Sequence, residues 1–150
     1  MPHLTVPSPV GPLSLVEDNG CLIRLDWRAA AGGEETPLLV EARAQLAAYF
    51  AGKLRTFDLP LALAGSRHQQ QVWQAMQRIP YGQTRSYGEV ASELGSAPRA
   101  VGGACGRNPL PILIPCHRVV ASAGKLGGYS GGEGAETKRR LLQLEHALLL

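Results

Sequence analysis

Residues 108–119 read Asn-Pro-Leu-Pro-Ile-Leu-Ile-Pro-Cys-His-Arg-Val, and no other stretch limits the fold as tightly. Leu110, Ile112, Leu113 and Ile114 demand burial, while Pro109, Pro111 and Pro115 prevent ordinary helix and interrupt strand pairing. The segment is expected as a rigid, partly extended strap through a core. A rigid strap holds its last residue in one place, and that residue is Cys116, followed at once by His117 and Arg118. Taken alone, Cys116 reads as structural, because free cysteine is among the most buried residue types. Its neighbours open a second reading, a thiol held in place for chemistry.

At 150 residues the chain supports one good core or two small lobes. No apolar run reaches the length of a membrane span, and Met1-Pro2-His3-Leu4 carries no basic region followed by an apolar one. That argues against secretion and membrane insertion. Three cysteines without close spacing make no disulfide framework, so a reducing cytoplasm is expected. Charge is uneven. Residues 1–65 carry five bases and seven acids, residues 66–150 ten bases and five acids, and eight of those ten bases are arginine. Arginine's planar fork suits phosphate, so the second half is expected to bind a polyanion unless it is merely a basic solvated surface.

The first half reads as short strands and one helix. Leu13–Val16 and Cys21–Trp27 flank Asn19-Gly20, a strong hairpin signal. Thr36-Pro37 opens a helix whose stripe is Leu38, Leu39, Ala42, Leu46, Tyr49 and Phe50. Residues 59–65 read as a connector, which divides the chain into an α/β supporting lobe, 1–65, and a mainly helical lobe, 66–150. In the second lobe a helix is expected over 69–78. Ser86-Tyr87-Gly88-Glu89 then has the form of a capping box. Gly95-Ser96-Ala97 turns the chain into a further helix from Pro98, a helix-turn-helix pattern. That second helix carries Ala100, Gly102, Gly103 and Ala104, although glycine in a helix interior costs about 1 kcal/mol. Its smooth face suits close contact with a nucleic acid backbone or minor groove, or close packing on another helix. The glycine-rich loop 122–132 reads as a pocket wall holding Tyr129 and Ser130. In the last helix, from about residue 135, Leu141, Leu144 and Leu148 form the stripe. Glu145 falls on the same side, either paired with Arg118 or His117 or solvated at the stripe's edge.

The segments 99–103 (Arg-Ala-Val-Gly-Gly), 114–119 (Ile-Pro-Cys-His-Arg-Val), 128–132 (Gly-Tyr-Ser-Gly-Gly) and 141–145 (Leu-Leu-Gln-Leu-Glu) closely resemble those of the O6-alkylguanine-DNA alkyltransferases. The match is strong over 66–146 and weaker in 1–65. The resemblance implies a DNA repair protein that moves an alkyl group from O6-alkylguanine onto its own Cys116, once. It would act as a monomer on the minor groove of double-stranded DNA, with no cofactor or metal expected. His117 would activate the thiol through a water and Glu145 would orient the imidazole. Asn108 would order the turn beneath the cysteine, and Tyr87 would hydrogen-bond the base ring. Pro111, Val119, Tyr129, Ser130 and Gly131 would bind the base. Arg99 would fill the gap left by the flipped nucleotide, with Ser86, Ala100, Gly102, Gly103, Arg107 and Arg118 along the DNA. The turn before Arg99 is about two residues shorter than the family's usual form, and His68 stands where Phe is common. Cys21, His3 and His68 are not spaced like a zinc site. Two rivals remain: a sensor that flips and holds the lesion without repairing it, and a Cys-His hydrolase.

Overall fold

A computed structural model describes residues 1–147; Leu148, assigned above to the last helix's stripe, lies outside them. The chain divides into two compact units, Met1–Leu63 and a second from Ala64 onward.

In the first unit β1 (His3–Val6), β2 (Leu13–Asp18) and β3 (Cys21–Asp26) form an antiparallel sheet in that order. Asn19 and Gly20 both take positive φ, 50° and 75°, as the tight turn between β2 and β3 requires. Helix α1 (Pro37–Phe50) starts where Thr36 Oγ1 accepts from Leu39 N at 3.1 Å, with Pro37 in its first turn. Its buried side is Leu39, Ala42, Leu46 and Tyr49, while Leu38 and Phe50 lie at the edge, half-buried. The supposed connector does more than connect. Leu22 N donates to Pro60 O and Ala62 N to Leu22 O, so Leu61 forms a parallel bridge beside β3.

In the second unit α2 (Arg67–Gln77) begins two residues before the expected start. Ser66 Oγ accepts from Gln69 N, and the Gln69 side chain accepts from Ser66 N, a capping box that moves the helix start upstream. Val72, Trp73, Ala75 and Met76 face inward. A two-residue strand β4 (Arg85–Ser86) leads into α3 (Tyr87–Leu94), capped by Ser86 and Glu89 as expected. Gly95 at φ 64° closes α3, with Ser96 N donating back to Ala91 O, and α4 (Pro98–Gly106) follows. Trp73 Nε1 donates to Ala104 O at 2.9 Å and fixes α4 on α2. His68 Nε2 lies 2.8 Å from Ser96 Oγ, tying α2 to the α3–α4 turn.

The strap is more folded than its prolines suggest. Ile114 N donates to Leu110 O at 2.8 Å, and Pro111 bridges Ile114, so the chain doubles back on itself. Ile112 sits at the apex with φ 74°, a costly conformation for a β-branched residue. Asn108 holds the turn from within: Nδ2 donates to Ile114 O at 2.8 Å, and Oδ1 accepts from Leu110 N at 3.0 Å. The turn delivers a single 3₁₀ turn, Cys116–Arg118, then β5 (Val119–Val120), parallel to β4. Last comes α5 (Ala135–Leu144), burying Thr137, Lys138, Leu141 and Leu142.

Candidate active site

A 3₁₀ turn sends three successive side chains in different directions, and here all three are buried. Cys116 is 6% exposed, and its thiol lies 3.9 Å from the Tyr129 hydroxyl oxygen. Burial pushes the Cys116 thiol above its usual range, with Asn108, Tyr129 and the charge of Lys138 pulling the other way. Cys116 therefore rests as a thiol, and forming a thiolate there would require a base.

His117 is fully buried. Its Nε2 lies 2.8 Å from Glu145 Oε2, while Nδ1 has no hydrogen-bond partner among the described residues. Burial lowers the imidazole below its usual 6.5, although the hydrogen bond and charge of Glu145 oppose the shift. A neutral ring donating Nε2–H to the carboxylate keeps the Nδ1 lone pair open, which is the form a base requires.

Glu145, 1% exposed, also takes a two-pronged contact from Arg118: Nε to Oε1 at 2.8 Å and Nη2 to Oε2 at 3.0 Å. Arg118 Nη1 donates to Ile79 O at 2.7 Å, and the guanidinium lies 5.8 Å from the Tyr81 ring centre. The carboxylate on α5's buried face is therefore compensated twice over, as burial of a charge demands.

Above the thiol opens a pocket of about 380 Å³. Tyr87, Gly102, Cys105 and Gly106 come from α3 and α4; Cys116, Gly128, Tyr129 and Ser130 complete the lining. Residues carrying two thiols, two phenols and one aliphatic hydroxyl thus line a space of the size that ordinary small-molecule sites have. Gly127 lets the wall close in: at φ +79°, a Cβ there would meet Tyr87 Cε2 at 3.1 Å.

Two family models divide the chain. The 6-O-methylguanine DNA methyltransferase ribonuclease-like domain matches residues 3–63, and the DNA binding domain of the same enzymes matches residues 67–147. The chain belongs to the 6-O-methylguanine DNA methyltransferase family. The constitutive methylated-DNA–protein-cysteine methyltransferase of Bacillus subtilis is 44% identical, covering 95% of this chain and 94% of the relative. Mycobacterium tuberculosis OGT, solved in complex with DNA, superposes with a TM-score of 0.89 at 45% identity, covering 98% of this chain and 94% of that one. The Methanococcus jannaschii O6-methylguanine DNA methyltransferase gives 0.71 at 30% identity, covering 98% and 95%.

For a chain of the methyltransferase family, the structure gathers Cys116, Tyr87, Tyr129, Ser130 and Gly102 at the pocket, with His117 and Glu145 buried behind the cysteine and Asn108 half-buried in the turn before it. Pro111, Val119 and Gly131 are buried but do not line it. Pro111 is folded into the strap turn, Val119 N closes on Cys116 O beside β4, and Gly131 O accepts from Gly134 N. Arg99, Ala100, Gly103 and Arg107 are exposed on α4 and its end, while the Ser86 hydroxyl is engaged as the α3 cap. A Cβ on Gly103 would meet nothing within 4 Å, so internal packing does not require this glycine. Arg118 must be corrected. Both ends of its fork are committed to Glu145 and Ile79, which takes it away from any DNA surface.

Two groups at the site went unread in sequence, Cys105 and Lys138. Lys138 stands three and seven residues before Leu141 and Glu145, on the stripe that buries them, and that spacing was the available signal. Among the described residues no group of three or more His, Cys, Asp or Glu could hold a metal, and no helix is long and apolar enough to cross a membrane.

Proposed function

We propose that this protein repairs O6-alkylguanine in duplex DNA by moving the alkyl group to the Cys116 sulfur, one event per molecule. The observation that carries the reading is a buried thiol at a pocket, followed in the chain by an imidazole whose Nε2 is held by Glu145 and whose Nδ1 is open.

The thiol proton passes to His117 Nδ1, through a water where the two do not touch, and Glu145 stabilises the imidazolium as it forms. Sulfur attacks the saturated alkyl carbon, the S–C bond forms as the C–O6 bond breaks, and the electron pair leaves with the purine. Tyr87 and Ser130 supply hydroxyls to the ring and to the guanine oxygen. The product thioether has no carbonyl for water to attack, so nothing regenerates the thiol. We place the reaction in the cytoplasm, where Cys116 stays reduced.

Reaching the base requires its extrusion, which costs a few kcal/mol of stacking and pairing. The smooth exposed face of Ala100 and Gly103 lets α4 approach the minor groove, Arg107 meets phosphate, and Arg99 at its start occupies the space the nucleotide leaves. Arg99→Ala is expected to slow repair of duplex DNA by roughly tenfold or more, in line with a cost of a few kcal/mol for flipping. Reaction with free O6-benzylguanine should stay nearly unchanged. Equal losses on both substrates would remove the finger role.

Intact mass after incubation with O6-methylguanine duplex tests the whole reading. The expected product gains one methylene unit on the peptide containing Cys116. DNA binding without the adduct would indicate a sensor, and continued turnover a hydrolase.

A further inference from the structure

Helix α4 is weak by its own sequence. Gly102 and Gly103 stand in its interior, Ala97 gives its N-terminus no side-chain cap, and Pro98 presets one φ without supplying one. Much of its hold comes from outside, and α2 supplies it at both ends. At the pocket end Trp73 Nε1 donates to Ala104 O at 2.9 Å, and Cys105 Sγ lies 3.6 Å from Met76 Sδ. At the other end His68 Nε2 lies 2.8 Å from Ser96 Oγ. Trp73 and Met76 are buried, whereas His68 and Ser96 are half-buried.

The contact at the exposed end stands beside the turn that aims Arg99. Gly95 closes α3 at φ 64°, Ser96 N donates to Ala91 O at 2.8 Å, and only Ser96 and Ala97 lie between Gly95 and the first residue of α4. The backbone of Ser96 is thereby tied to α3 and its side chain to α2, three positions before Arg99. The Arg99 side chain is exposed and joins no ion pair among the described residues, so its direction is set by the backbone beneath it. An uncapped helix end on a short tether frays unless something pins it. Fraying there would cost the pocket little, because Gly102, Cys105 and Gly106 line it from beyond that first turn, towards the end that Trp73 holds.

We propose that His68 is a positioning residue for duplex DNA, acting through Ser96 to hold the first turn of α4, and Arg99 with it, in the orientation that repair requires. The proposal rests on the repair reading and on Arg99 occupying the space that the extruded nucleotide leaves. It divides the work of α2: Trp73 and Met76 fix the pocket wall, and His68 fixes the end offered to DNA. A substrate without a duplex makes no demand on that second contact. The pair therefore acts on the preference for duplex over free base and not on the transfer itself. A serine hydroxyl suits the task, since it both donates and accepts and so keeps the contact with either tautomer of the imidazole.

Single-turnover transfer, normalised to the alkylatable fraction, should be measured on O6-methylguanine duplex and on free O6-benzylguanine. The proteins are the full-length wild type, Ser96→Ala, Ser96→Thr, His68→Ala, the double alanine variant, and each single alanine variant combined with Arg99→Ala. Ser96→Ala and His68→Ala are each expected to slow the duplex reaction by roughly fivefold, the worth of one hydrogen bond, with little change on the free base. The double alanine variant should be no slower than either single one, and Ser96→Thr, which keeps the hydroxyl, should match the wild type. In the Arg99→Ala background neither change should slow the duplex reaction further. Equal losses on both substrates, a threonine variant as slow as the alanine one, or an undiminished loss in the Arg99→Ala background overturns the proposal. Should His68→Ala fail to fold, Ser96→Ala decides alone, because it removes only an oxygen from a half-buried residue. A wild type that gains no adduct on Cys116 removes the repair reading and this inference together, whereas a reactive wild type beside a full-speed Ser96→Ala removes only the inference.

Discussion

Cys116→Ser is expected to abolish alkyl transfer and to leave DNA affinity nearly intact. Serine fits where cysteine was, and at 6% exposure the site loses little packing from so small a change. The chemistry does not survive, because a hydroxyl at neutral pH is neither ionised nor polarisable enough to attack a saturated carbon, even beside an imidazole. Arg99, Ala100 and Gly103, the exposed α4 residues proposed to meet DNA, do not line the pocket that holds the sulfur. The pocket makes the experiment sharper than usual, since it holds a second thiol. Cys105 lines the same space, with its Sγ 3.6 Å from Met76 Sδ. Burial raises Cys105 to about 12, so roughly one molecule in 10⁵ would be thiolate at neutral pH. Both thiols are pushed up; Cys116 alone is followed in the chain by an imidazole with an open nitrogen. Peptide mapping of the serine variant is therefore expected to find no adduct at all, and Cys105→Ala should transfer normally. An adduct on Cys105 in Cys116→Ser would mean that the pocket, rather than His117, selects the nucleophile.

What could be read in advance depended on whether the signal was local. Asn19-Gly20 requires positive φ at both positions, and the Ser86–Glu89 box satisfies its own helix end, so both held without tertiary help. The Ser66–Gln69 box has the same form, and counting it would have placed the start of α2 correctly. The strap is a different matter. Its prolines argue for extended chain, yet Asn108 bonds to Ile114 O and Leu110 N close the segment into a turn, which forces Ile112 to φ 74°. Nothing within 108–119 states that an asparagine will find a carbonyl six residues on. Arg118 was read both along the DNA and as a partner of Glu145, and the pairing is the reading that holds. The resemblance put it along the DNA, but whether its fork meets phosphate or carboxylate depends on where the end of α5 places Glu145. Lys138 was hidden by residue type, since lysine on a helix is almost always solvated and only its register with Leu141 and Glu145 argues otherwise.

Glu145→Gln should cost about 3–5 kcal/mol of stability, the usual result when one partner of a buried ion pair is removed. The amide keeps the shape but places an NH2 where one carboxylate oxygen was, against either Arg118 Nε or the pair His117 Nε2 and Arg118 Nη2, which offered donors at 2.8 to 3.0 Å. Arg118 would lose its counter-charge and one of its two hydrogen bonds to the side chain, keeping Ile79 O and the Tyr81 ring. Transfer should slow by roughly 10²–10⁴-fold, because the imidazolium that receives the thiol proton loses its counter-charge. The pH dependence of stability distinguishes the two roles of the carboxylate. The His117 pKa is depressed in the folded state, so as pH falls below 6.5 the unfolded chain binds its proton first. Stability is then complete above 6.5 and is lost progressively as pH falls from 6.5 towards the folded value. Glu145 is the group that holds His117 up, so in Glu145→Gln the folded value drops further and the acid loss continues to lower pH. Urea unfolding of both proteins from neutral pH downward reads this directly. A variant as stable as the wild type at neutral pH, with an unchanged acid limb, would show that neither Arg118 nor His117 relies on this carboxylate, and the proton-accepting role of His117 would lose its support.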